Sequence, residues 1–77
     1  MRKRSIAIEG HRTSISLEPS FWEALERIAK RERRSLPSLV AEIDRRRLRE
    51  TPPPGLASAL RVYALEWLAN SGVGDEA

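Results

Sequence analysis

Seven residues, HRTSISL at 11–17, alternate in polarity and run straight into a helix-start signal, LEP. Side chains alternate across a strand, so Thr13, Ile15 and Leu17 fall on one face and Arg12, Ser14 and Ser16 on the other. A lone short strand severely limits what a chain of 77 residues can become. Its two edges carry backbone donors and acceptors that folded proteins rarely leave open. The chain has room for one small domain with a thin core, and it has no cysteine to supply a disulfide framework or a thiolate zinc site. The fold expected is therefore mainly α with one short β-strand, and the strand's natural mate is the same strand of a second copy.

Charge is distributed unevenly. Residues 1–50 hold thirteen of the fourteen Lys/Arg and eight of the eleven Asp/Glu, whereas residues 51–77 hold one Arg and three acids. The basic part is where a polyanion would bind, and twelve of the fourteen cations are arginines, whose forked donors suit phosphates and guanine edges as well as surface ion pairs. The longest apolar runs are far short of a membrane span, and MRKRSIAIEG lacks the apolar middle of a secretory signal, so a soluble, cytoplasmic protein is expected.

Three helices follow the strand. The first begins near Pro19, a residue favoured in a first turn, and carries Phe21, Trp22, Leu25, Ile28 and Ala29 as one apolar stripe. Trp22 belongs to that stripe and is read as core. The second opens with Ser35 as N-cap and Pro37 in its first turn, followed by Leu36, Leu39, Val40 and Ile43 on one face. Its closing cluster of Arg45, Arg46, Arg47 and Arg49 reads as a solvated helix end that compensates the dipole. TPPPG at 51–55 is a stiff spacer. LASALRVYALEWLAN then forms a third helix, with Leu56, Leu60, Tyr63, Ala64 and Trp67 on one side, Leu65 and Leu68 widening the stripe, and Gly72 ending it. This broad face packs either on the first two helices or on a second subunit. The basic arm before the strand, Arg2, Lys3 and Arg4, leads into SIAIE, which reads as either a strand or a flexible tail.

No catalytic constellation stands out, and no enzyme activity is expected. His11 is the only histidine, so no multi-histidine metal site can form within one chain, and there is neither a Gly-rich phosphate loop nor a Cys/His finger. No cofactor or metal is implied.

The order of short strand, helix, tight turn and helix over residues 12–49 resembles the ribbon-helix-helix family of MetJ and Arc type. GHRTSISLEPSFWEALERIA, LVAEIDRRR and ASALRVYALEWL together resemble a bacterial subgroup with an additional C-terminal helix. The resemblance implies an intertwined homodimer, in which strands of two chains form an antiparallel two-stranded ribbon that enters the major groove of DNA. It puts base reading on Arg12, Ser14 and Ser16 and phosphate contacts on Arg33, Arg34, Ser35 and Leu36, with the Arg2, Lys3 and Arg4 arm assisting. The turn RERRS offers only Arg33 and Arg34 where the family often carries Gly or Asn, and Pro37 removes one amide from the anion site.

The domain plan is a basic arm at 1–10, partly strand in one reading, the ribbon-helix-helix domain at 11–50, a Pro-rich linker at 51–55, a C-terminal helix at 56–70 and a flexible tail at 71–77. A homodimeric DNA-binding transcriptional regulator is the first functional expectation. One alternative is a dimer that binds a small polar metabolite, such as an amino acid or organic acid, through Arg12, Thr13 and Ser14. A second is an antitoxin-like protein-interaction module.

Overall fold

The computed structural model describes residues 1–70. The expected Gly72 helix stop and the tail at 71–77 lie outside the described residues. The expected single strand is corrected to two, β1 at Arg2–Ile8 and β2 at His11–Leu17. They pair antiparallel in the register Arg2 to Leu17 through Ile8 to His11. The ribbon is thus made within one chain, and SIAI belongs to its first strand. Glu9 and Gly10 close the hairpin with φ of 45° and 94°. Two successive positive φ values give the turn the twist that joins strands tightly, and Gly10 takes its value without a Cβ penalty.

Directly opposed residues of an antiparallel pair share a face. Ile6 and Ile8 from β1 and Ile15 and Leu17 from β2 are buried, with Thr13 half-buried opposite Ile6. Lys3, Ser5, Ala7, Arg12, Ser14 and Ser16 occupy the other face. One side of the ribbon is thereby committed to the core and the other left to solvent.

Helices α1 (Pro19–Arg31) and α2 (Leu36–Arg47) supply Trp22, Leu25, Ile28 and Ala29, and Leu39, Val40, Ala41 and Ile43, to that core. The turn between them is set by backbone bonds. The Arg34 amide donates to the Ala29 carbonyl at 3.0 Å and the Arg33 amide to the Lys30 carbonyl at 3.1 Å, a paired closure that requires a left-handed residue. Arg33 fills that position at φ 57°. Arg33→Gly is expected to stabilise the fold by about 0.5–1 kcal/mol, because a glycine takes this conformation without Cβ strain while losing more chain entropy. A thermal melt should rise by about 2–8 °C.

Helix α3 (Leu56–Asn70) packs on the first two helices of its own chain. Leu60 and Ala64 are fully buried, while Leu56, Tyr63 and Trp67 are partly buried against the core. Leu65, expected to widen the stripe, is 66% exposed. Two carboxylates of the α1 region pin the helix. Glu18 accepts from Arg61 at 2.9 Å, and Glu32 accepts from the Tyr63 hydroxyl at 3.3 Å and the Trp67 indole at 3.2 Å. The hydrogen bond from Arg61 holds the Glu18 carboxyl below its usual range, whereas burial, reinforced by Glu32, raises the Tyr63 hydroxyl above its own.

Candidate nucleic-acid interface

The outward ribbon face follows from strand alternation and register together. Lys3 stands opposite Ser16, Ser5 opposite Ser14 and Ala7 opposite Arg12. The Arg12 guanidinium reaches diagonally to donate to the Ser5 hydroxyl at 3.3 Å. Arg12, Ser14 and Ser16 therefore share one surface with two further polar side chains, Lys3 and Ser5. Their membership was hidden in the sequence because SIAI alternates over only four residues and the turn is Glu-Gly, without the Asn-Gly or Asp-Gly that signals a hairpin most strongly.

Alternation separates the trio considered for a small ligand. Arg12 and Ser14 point outward, while Thr13 lies on the core side, so these three do not converge on one pocket.

The basic arm is divided in the same way. Lys3 joins the outer face; Arg2 and Arg4 take the alternate positions. The Arg2 carbonyl accepts a 2.8 Å hydrogen bond from the Trp22 indole. Arg4 lies over that indole at 5.0 Å and pairs with Glu26 at 2.7 Å.

At the start of α2, the Ser35 hydroxyl accepts from the Ser38 amide at 3.2 Å, as expected of an N-cap, and Leu36 is half-buried. Arg34 turns inward. It pairs with Glu42 and with Glu32, and it donates to the Ser38 carbonyl at 3.0 Å. The Arg34 hydrogen bond holds the Glu42 carboxyl below its ordinary range, and Glu42 correspondingly raises Arg34. Arg33 is exposed, with no ion pair among the described residues.

The arginines closing α2 are neutralised locally. Arg45 pairs with Glu9 at 3.5 Å, Arg46 with Glu42 at 2.9 Å and Arg47 with Asp44 at 2.7 Å. Arg47 also donates to the Pro54 carbonyl at 3.0 Å and so ties the Pro-rich linker to α2. Among the described residues there is no cluster of three or more His, Cys, Asp or Glu arranged to hold a metal ion, and no helix is long and apolar enough to cross a membrane.

A sequence model described as a ribbon-helix-helix domain matches residues 1–68. No curated protein and no solved structure matches the chain.

Proposed function

This chain belongs to the ribbon-helix-helix domain family, and we propose that it is a DNA-binding transcriptional regulator that acts as a homodimer. Domains of this family are generally DNA-binding regulators or antitoxins, and they are typically non-enzymatic. The observation that carries the reading is the outward ribbon face, where Lys3, Ser5, Arg12, Ser14 and Ser16 stand together without a carboxylate partner. A two-stranded ribbon is of a size that a major groove about 12 Å wide admits. In this reading Arg12 makes a forked contact to a guanine edge, and the Ser14 and Ser16 hydroxyls accept from or donate to neighbouring bases. Lys3, Arg2 and Arg33 meet phosphates, together with Ser35 and the amide of Leu36. Arg34 and Arg4 brace the scaffold through their internal pairs and take a smaller share of the phosphate contacts.

The test is selection from a pool of random duplexes, followed by a salt titration on the enriched sequence, with the mass of the complex followed by analytical ultracentrifugation. Binding should weaken linearly in log–log form, with a slope of roughly −0.9 per phosphate neutralised. Arg12→Ala should cost about 1–3 kcal/mol on the selected sequence and flatten the preference at one base pair. An Arg12→Ala protein that binds and discriminates like the wild type refutes the base-reading role of the ribbon.

A further inference from the structure

Along one side of α1 runs an open cleft of about 720 Å³, floored by Trp22, Ala29 and Leu36 and rimmed by charge. Five cations line it: Arg2, Arg4, Arg27, Lys30 and Arg34; Glu23 and Glu26 are its acids. On an isolated helix, Glu26 would be the natural i,i+4 mate of Lys30. Here Arg4 crosses from β1 and takes Glu26 at 2.7 Å. That leaves Lys30 without an ion pair among the described residues, and Arg27 and Arg2 are likewise unpaired, while Arg34 is neutralised by Glu42 and Glu32. The cleft thus holds three uncompensated cations against the single acid Glu23. Arg2 is the chain neighbour of Lys3, so the cleft and the outward ribbon face meet across β1.

We propose that this cleft is a second DNA contact, seating the sugar-phosphate backbone beside the ribbon, with Arg27 and Lys30 as its principal phosphate ligands and Arg2 joining it to the groove-facing surface. The inference rests on the DNA-binding reading and extends it to a face of α1. From Pro19 to Lys30 the helix is about 17 Å long, and phosphates of one strand advance by about 3.4 Å along the duplex axis, so several fall within its reach. The lining favours an anion without base selectivity. Its apolar floor is closed, with Trp22 only 2% exposed and covered by Arg4, so no indole face is open for a base to stack on. Contacts here add affinity uniformly across sequences.

The decisive experiment compares the full-length wild type, the double variant Arg27→Gln/Lys30→Gln and the charge-preserving Arg27→Lys/Lys30→Arg on the selected duplex and on random duplex DNA, between low and moderate salt. Both substituted positions are exposed, and circular dichroism of each variant is the check that a change in binding is not a loss of fold. The glutamine variant should bind both DNAs more weakly by the same factor, with a log–log salt slope shallower by about 1.8. The charge-preserving variant should keep the wild-type slope. If the wild type binds DNA and the glutamine variant matches its slope and affinity, the cleft is refuted and the ribbon reading stands. Failure of the wild type to bind any duplex at low salt overturns the reading and the cleft together.

Discussion

Trp22→Ala is expected to leave the chain largely unfolded at physiological temperature. The indole is 2% exposed in the core, and truncating a buried tryptophan costs about 3–5 kcal/mol. A domain of this size has a total stability of only about 4–12 kcal/mol. More is lost than apolar contact, because the indole N–H holds the Arg2 carbonyl at the start of β1 and the ring supports the Arg4 guanidinium. The ribbon should therefore loosen along with the core. Urea denaturation followed by circular dichroism measures the loss, and Trp22→Phe divides it. Phenylalanine keeps most of the packing but not the hydrogen bond, and should cost about 1–2 kcal/mol. A Trp22→Ala protein as stable as the wild type contradicts the central place given to this side chain.

Leu60→Ala is the second large effect, at about 2–5 kcal/mol. Leu60 has no exposed surface and is the point at which α3 enters the shared core. Its truncation should also weaken the polar ties that Glu18 and Glu32 make to this helix, since those bonds at the protein surface depend on α3 being held in place. The measurement is again a denaturation midpoint, with Leu65→Ala as the control. Leu65 lies on the same helix but is 66% exposed, and its truncation should change stability by less than about 0.5 kcal/mol. Equal effects at the two positions would mean that α3 does not pack through Leu60.

The helices were legible in the sequence because their signals are local and mutually consistent. Pro19, Ser35 and the proline block set boundaries, and the apolar stripes of α1 and α2 bury most of the residues their spacing indicates, with Phe21 and Leu36 only half-buried and Ala41 buried in addition. Alternation likewise sorted Arg12, Ser14 and Ser16 from Ile15 and Leu17. Strand β1 was not resolved from its sequence, because three cations open it and a charged run has weak β preference. What settles it is register, in which Ile6 and Ile8 find Thr13 and His11 across the turn. The fate of the arginines was equally hidden. Arg34 and Arg33 are adjacent and chemically identical, yet one is consumed by Glu42 and Glu32 and the other stands in solvent at a left-handed position. Composition counts both as cations; only tertiary geometry decides which can meet an external anion. Leu65 illustrates the same limit for apolar residues, since a broad helical stripe does not reveal how much of it the core can cover.

The hairpin also bears on when the outward face exists. A ribbon assembled from two chains has to wait for two molecules to meet, and that wait lengthens as the protein becomes scarce. Here the two strands are separated by a two-residue turn, and hairpins of that kind close in about 1–10 μs by diffusion of a single chain. The helices beneath then supply the support that a two-stranded sheet lacks in water. Pairing of β1 with β2 is thus a first-order event within one chain. Each chain therefore brings both strands of its hairpin, already in register, to whatever assembly it enters.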